Sequence, residues 1–477
     1  MKKLFILICP LILLVSCVKN KEDYNTDQKN AVSVPASTLF TSAMLNLSNA
    51  ITTPDVNSNV FRLYAQQWTT TTYIDEPRYN MTARTIPLGL WQSLYRDVLS
   101  DLNESKRIIN ADALLAEPLK SNEQAQIEIL QVYTWSVLVN SFGNIPYSQA
   151  LNSANTQPVY DDAATVYTDL LSRLNAALKI INPSTTGFTG ADLMYKGTMS
   201  NWAKFGNSLK LKLAMVISDS NPTAAGTAVK EAAVYVFTGN TDNASFPYTN
   251  STPNNNPIST NLNPSLTSRK DFLAANTLVD KMNSLNDPRR QYYFTTVNGQ
   301  YIGGQYGFVN VFANNSSINP KIYALDFPGL LLDYSEVEFL LAEAVERGFI
   351  TGSAATYYNN GITASIAYWG GSTADASAYL SNSAVAYATS TGNYKQKIGT
   401  QKWIALYNRG YDAWTEWRRL DYPVLLPPTG GNAPAGLTIP TRLIYPPTES
   451  SLNTNYKAAA AAIGGDLATT KLFWDKF

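Results

Sequence analysis

The sequence predicts an all-α protein: packed helix pairs interrupted by long, loop-rich insertions. Three observations carry the prediction. Apolar residues recur at the i, i+3, i+4 spacing of one-faced helices along most of the chain. The stretch Asp333 to Trp369 reads as two such helices folded against each other. A composition of 45% apolar and 15% charged residues over 477 positions supplies a core large enough to bury them.

In Asp333–Trp369 the first stripe is Val337, Leu340, Leu341, Ala344 and Val345, with Glu343 and Arg347 spaced to support one helix surface. Gly348 and Gly352 interrupt it, and Ser353 is placed to cap a second stripe of Ala355, Tyr358, Ile362, Ile366 and Trp369. Neither helix of this hairpin buries its apolar face alone, so it must stack on others.

From the N-terminus, Lys2 and Lys3 precede an apolar run, Leu4 to Val15, too short to span a bilayer. The run ends in Leu14-Val15-Ser16-Cys17, which resembles the lipobox of bacterial lipoproteins. Residues 1–16 are then a signal peptide, Cys17 the acylated residue, and residues 17–36 a lipidated tether. An ordinary secretory signal with an incidental cysteine is the alternative. The lipoprotein modification adds several acyl chains, whereas a single chain binds a membrane only marginally. Lys21-Glu22-Asp23 resembles the acidic surface-export signal of Bacteroidetes lipoproteins, or is simply a charged tether. Cys9 is lost with the leader, leaving Cys17 alone, so disulfides are excluded.

The remaining residues, 37–477, read as one helical domain. Helices are predicted over Ser37–Ile51, the first half of Phe61–Tyr79, Pro87–Asn110, Glu123–Phe142, Ala163–Ile181 and Met199–Ser218. Glu123–Phe142 is apolar on more than one face and belongs in the middle of the domain. The second half of Phe61–Tyr79, rich in threonine and closed by Pro77, reads as extended or looped. Two insertions follow the pattern's gaps. Ala244–Pro328 carries short helix signals around Asp271–Leu285 and then a Gly-Tyr-rich segment; Ser372–Asn393 reads as irregular. A helix over Lys395–Arg419, a Pro-rich stretch and a short helix from Tyr456 complete the chain. The helix pairs are of tetratricopeptide size but show no fixed 34-residue period.

Charge excludes several functions. The net charge is zero, and −2 once Lys2 and Lys3 are removed (34 basic against 36 acidic residues), so there is no footprint for nucleic acid. The absence of histidine removes Ser-His-Asp catalysis, His-ligated zinc and histidine proton shuttles. No cofactor motif or calcium-loop pattern is present. With 29 tyrosines and 9 tryptophans, the chain is rich in aromatic surface instead.

Several motifs, in order, resemble one family. YSEVEFLLAEAVERG from Tyr334, QKWIALYNRGYDAWTEWRRLDYP from Gln401, IPTRLIYPPTE from Ile439 and FGNIPYSQAL from Phe142 are similar to the SusD/RagB outer-membrane lipoproteins. So are Asp192–Met215, Asn286–Phe294 and the final Trp474-Asp475. The resemblance implies an α-superhelix of tetratricopeptide-like pairs carrying a loop-rich ligand face. It also implies residence at the cell surface, on the outer membrane, and a SusC-like TonB-dependent transporter as partner. The implied role is capture of an oligosaccharide nutrient and its delivery without cleavage. A peptide-binding, RagB-like role is the main alternative; an all-α glycosidase, needing two carboxylates across a cleft, is the other.

Sugar capture suits this composition, because flat aromatic rings cover a pyranose face while polar groups fix its hydroxyls. The candidate ligand-binding residues are Tyr73, Asp75, Arg78 and Tyr79, on the loop Thr71–Tyr79, with Tyr301 and Tyr306 among glycines on a second loop. The structural alternatives are pairing of Arg78 with Asp75 or Glu76 and inward packing of the tyrosines. Trp135, Trp202, Trp403 and Trp414 fall on helical stripes and are expected in the core. Trp417-Arg418-Arg419 has the look of a phosphate clamp, but its position on a helix favours structural ion pairs.

Overall fold

Asp333–Trp369 folds as its spacing predicts in the computed structural model, which describes residues 34–477. Helices Tyr334–Glu346 and Ala354–Trp369 pack against each other. The Asp333 carboxylate accepts from the Glu336 N–H at 2.8 Å, and the Ser353 hydroxyl from the Thr356 N–H at 3.2 Å, satisfying donors that a helix start leaves free. Cys17 and the tether up to residue 33 lie outside the described residues.

Residues Ala36–Phe477 form one compact unit. Helix Ala36–Thr52 packs on a long helical run made of Ile86–Gln92, a π-helical turn Ser93–Leu99, and Ser100–Ala111. Glu117–Phe142 follows and is buried on nearly every face from Ala125 onward, as its unstriped apolar sequence requires. Ala163–Ile180 packs on it, then Met199–Val216, then Pro222–Ala232. The hairpin and helices Tyr394–Ala405 and Gly410–Leu420 close the scaffold. Trp135, Trp202, Trp403 and Trp414 are all buried, as expected. A fully buried large apolar side chain contributes about 1.5–3 kcal/mol, so this shared core holds the helices together.

The insertions are pinned by short antiparallel ladders. Trp68–Thr70 pairs with Phe272–Ala274, Trp68 facing Ala274; Ile145–Pro146 pairs with Tyr160–Asp161, and Ala244–Phe246 with Gly329–Leu332.

Several segments differ from the sequence reading. Pro222–Ala232 forms a helix it did not predict, and the Asp271–Leu285 helix signal begins with the strand Phe272–Ala274 before the helix Asn276–Ser284. The helix entered at Phe61 stops at Tyr64, and Gln66 takes φ +53° to turn the chain into the Trp68 strand. Lys395–Arg419 is two helices, not one, broken at Asn408 (φ +69°). The break brings Gly410 onto the Arg62 backbone; a Cβ there would lie 2.4 Å from the Arg62 nitrogen. Ser372–Asn393 contains a helix, Thr373–Leu380, held by a reciprocal capping box between Ser372 and Asp375.

The scaffold helices also share buried charge. Lys212 reaches Asp412 and, at 3.2 Å, Glu336; Arg409 bonds Glu336 and Asp412, each at 2.7 Å. Beside them Lys402 meets Glu416 at 2.8 Å, while Arg419 joins Glu416 at 2.6 Å and Glu343 at 2.5 Å. Arg347 links Glu343 to Asp219, both at 2.7 Å. Burial disfavours these charges; at Glu336, Glu343 and Glu416 the cationic partners outweigh it and hold the carboxyls below the usual range, whereas at Lys402 burial wins and lowers the ammonium. Such networks define which helices meet, because a mispaired arrangement strands a buried charge.

Among the described residues, no helix is long and apolar enough to cross a membrane.

Candidate ligand-binding face

The ladder of Trp68–Thr70 with Phe272–Ala274 decides where the candidate loop lies. Thr71 continues it, donating its N–H to the Asp271 carbonyl at 2.9 Å and its hydroxyl to the Lys270 carbonyl at 2.9 Å. The chain then leaves the sheet as the loop Thr72–Asn80, beside the segment 262–271. The second loop docks here as well. Asn310 donates its N–H to the Thr71 carbonyl at 2.8 Å and its side-chain amide to the Thr70 carbonyl at 3.0 Å.

Tyr73 stands at the surface, 46% exposed, with the guanidinium carbons of Arg84 and Arg269 at 5.3 and 5.9 Å from its ring centroid. Those arginines are themselves held, Arg84 by buried Glu76 and Arg269 by Asp271 at 2.5 Å. Asp75 is exposed, and its carboxylate has no partner among the described residues.

Arg78 pairs with neither Asp75 nor Glu76. It donates to the Gly307 carbonyl at 2.8 Å and to the Asn432 carbonyl and side chain at 3.0 and 2.5 Å, with its guanidinium 5.3 Å from the Phe308 ring centroid. One residue therefore ties three loops. Arg78→Ala should loosen all three, read as faster proteolytic nicking within 71–80 and 424–432 without loss of helix. Lysine should not rescue it, since a single ammonium lacks the planar fork that serves these acceptors together.

The tyrosines behind it face inward. Tyr79 takes φ +67°, meets Tyr64 edge-on at 5.7 Å and accepts from Gln66 at 3.3 Å; burial pushes its phenol up to about 12. Tyr306 is buried, donates its hydroxyl to the Leu63 carbonyl at 2.7 Å and backs Tyr79 at 6.4 Å. Tyr301 is half-buried under Arg290, whose guanidinium lies 5.4 Å from its ring centroid. The two loops are thus adjacent, with Tyr73 and Asp75 at the surface, Tyr79 and Tyr306 supporting them, and Tyr301 packed to one side.

A cleft of about 580 Å³ is lined in part by Arg269, the same arginine that approaches the Tyr73 ring. Phe272, Phe312 and Tyr323 give it aromatic walls, while Ser268, Lys270 and Asp271 supply polar groups. Lys270 lies 5.1 Å from the Phe312 ring centroid and makes no ion pair among the described residues. Volume and lining match those of small-ligand sites. The sequence reading did not single these residues out. The one available signal was Arg269-Lys270-Asp271, three charges leading into a strand.

Apart from Asp75, the members of the acid pairs are committed elsewhere. Glu76 holds Arg84; Asp161 accepts from the Tyr147 and Ser148 N–H groups at 3.0 and 2.8 Å; Asp162 caps Ala163–Ile180. Among the described residues, no group of three or more acidic or cysteine side chains is arranged to hold a metal ion.

The comparisons with known proteins agree with this architecture. The family model described as starch-binding and associating with the outer membrane, SusD-like, matches residues 28–446. The chain belongs to the SusD-like family. Its mostly helical, tetratricopeptide-like fold is that family's, and the family is associated with the outer membrane. A solved chitin-binding protein is 28% identical, with a TM-score of 0.81, covering 93% of this chain and 100% of its own. A chitin-binding SusD homologue from Flavobacterium johnsoniae is 25% identical, with a TM-score of 0.77 over 92% of this chain and 98% of its own. A SusD homologue from Bacteroides uniformis is 26% identical, with a TM-score of 0.76 over 92% and 99%. No curated protein sequence matches significantly.

Proposed function

We propose that this SusD-like protein is a surface lipoprotein, anchored in the outer membrane through acylated Cys17, that captures an oligosaccharide without cleaving it. It then hands the ligand to a SusC-like TonB-dependent transporter. The observation that carries the reading is the aromatic-walled cleft, joined to exposed Tyr73 through Arg269, which offers aromatic rings, a lysine without an ion pair among the described residues and a serine hydroxyl to one ligand. Two similar structures named as chitin-binding make chitooligosaccharides the first ligand to try. Binding without turnover is supported by the structural employment of Glu76, Asp161 and Asp162, which leaves Asp75 without a second free carboxylate from either pair to face it. A glycosidase needs two carboxylates free to face each other across the substrate.

The test uses protein beginning after Cys17. Calorimetric titration with chitohexaose, maltoheptaose and a mixed tripeptide library, followed by chromatography of the same mixtures, reads binding and cleavage together. Saturable saccharide binding with intact product is expected. Tyr73→Ala and Phe312→Ala should each weaken it about tenfold or more, a loss typical of removing an aromatic anchor. Peptide binding in place of saccharide would replace the cargo, and cleavage products would overturn the non-catalytic reading.

A further inference from the structure

Helix Gly410–Leu420 buries every residue except Trp417. Its neighbours explain why. Arg418 is drawn inward, its guanidinium 3.5 Å from the Trp414 ring centroid and 4.8 Å from that of Trp474, and it donates to the Asn140 and Thr441 carbonyls at 2.8 Å each. Arg419 serves Glu343 and Glu416. The Trp-Arg-Arg motif is therefore no phosphate clamp. Arg419 makes the expected ion pairs, Arg418 instead stacks on tryptophans, and Trp417 is left partly exposed, packed along one side against the core.

Trp417 forms one wall of a separate hollow of about 350 Å³. Leu425 and Pro427 extend its apolar side, and Asp421, Thr438 and Lys471 stand at its polar side. Among the described residues, the Asp421 carboxylate and the Thr438 hydroxyl have no hydrogen-bond partner, and Lys471 holds Asp475 only loosely at 3.3 Å. The helix ends at Asp421 in the left-handed region (φ +61°), and Asp421 lines the same hollow as the Trp417 ring one turn earlier. Asp421 and Asp475 balance Lys471 and Arg418, so the lining favours an uncharged ligand. A flat ring, a free carboxylate and a free hydroxyl around a neutral hollow are what a pyranose with vicinal hydroxyls requires.

The hollow is framed by the loop that also reaches the first site. From Leu426, whose carbonyl accepts from Gln66 at 2.8 Å, the chain runs through Pro427 and on to Asn432, which Arg78 holds. We propose that this hollow is a second saccharide-binding site, with Trp417 as its platform and Asp421, Thr438 and Lys471 as hydroxyl ligands. It rests on the glycan reading above and adds a second contact for the same class of uncharged oligosaccharide.

The experiment labels protein beginning after Cys17 with 5-fluorotryptophan, assigns the Trp417 resonance with Trp417→Phe, and titrates chitohexaose, maltoheptaose, cellohexaose and xylohexaose. A saccharide that binds should shift the Trp417 resonance, and the shift should persist in the Tyr73→Ala, Phe312→Ala double variant. Asp421→Asn, which tolerates the left-handed backbone, and Thr438→Ala should each weaken the Trp417 titration about tenfold, the loss expected for one charged or well-placed hydrogen bond. Saccharide binding by calorimetry with the Trp417 resonance unmoved would overturn the second site alone. Failure of every saccharide to bind anywhere would overturn both readings.

Discussion

Replacing Glu343 by alanine is expected to lower the unfolding free energy by about 3–5 kcal/mol, the range for breaking a buried ion pair by removing one partner. Glu343 is fully buried and takes both Arg419 guanidinium nitrogens at 2.5 Å, plus the Arg347 Nε at 2.7 Å. Without it, Arg419 keeps only Glu416, and Arg347 only Asp219. The buried Arg419 guanidinium and the partly buried Arg347 guanidinium are then both underpaired. Glu343→Gln keeps the shape and one acceptor, so it should cost less. The exposed Glu104–Arg107 pair is the control: Glu104→Ala should leave the urea midpoint unchanged.

The same carboxylate sets an acid dependence. Burial pushes Glu343 up, but Arg419 and Arg347 outweigh it and hold its carboxyl below the usual range. A carboxylate depressed on folding stabilises above its unfolded pKa of about 4.3, and that stabilisation is lost as pH falls through the folded value. The gap in melting temperature between wild type and Glu343→Ala should therefore be constant from pH 5 to 8 and shrink below about pH 4. A gap that stayed constant into the acid range would show that Glu343 acts by packing alone.

These effects mark what local sequence shows. The hairpin was legible because Val337, Leu340, Leu341 and Ala344 repeat at helical spacing, and because Asp333 and Ser353 stand where caps are needed. The inward direction of Glu336, Glu343, Asp412 and Glu416 was not, since each pairs with a cation from another helix. The break at Asn408 depends on the distant Arg62 backbone, which no window around Gly410 contains. The Ser372–Asp375 box, in contrast, was written locally and masked by a composition typical of loops.

The site divides along the same line. Tyr73 and Asp75 are exposed as a polar loop suggests, yet nothing nearby distinguishes them from Tyr79, whose partners Tyr64 and Tyr306 come from outside the loop. The cleft is assembled by pairing Trp68–Thr70 with Phe272–Ala274, which joins segments about two hundred residues apart. Aromatic composition announced that rings were available. Only long-range pairing selected Phe312 and Tyr323.

Gly303→Ala is the second large effect, and it separates scaffold from contact. A Cβ at Gly303 would meet the Asn276 Cα at 2.4 Å, the Asn276 nitrogen at 2.5 Å and the Ala275 carbonyl carbon at 2.9 Å. These are backbone atoms flanked by real bonds: Gly304 donates to the Ala274 carbonyl at 2.9 Å, and Asn276 donates to the Gly304 carbonyl at 2.8 Å. The added methyl must push the 299–311 loop off the Phe272–Ala274 edge, at about 1–3 kcal/mol for overpacking. It also pulls on the Arg78–Gly307 and Asn310–Thr71 bonds that seat the Tyr73 loop. The variant should thus lose stability and saccharide affinity together, the latter at least about tenfold, although no lining residue has changed. Tyr73→Ala should lose affinity with its melting temperature preserved, and Gly190→Ala, whose Cβ meets nothing within 4 Å, should change neither. Affinity retained in a destabilised Gly303→Ala protein would mean that the cleft forms without the 299–311 loop, and the Phe272–Phe312 walls would then be the whole site.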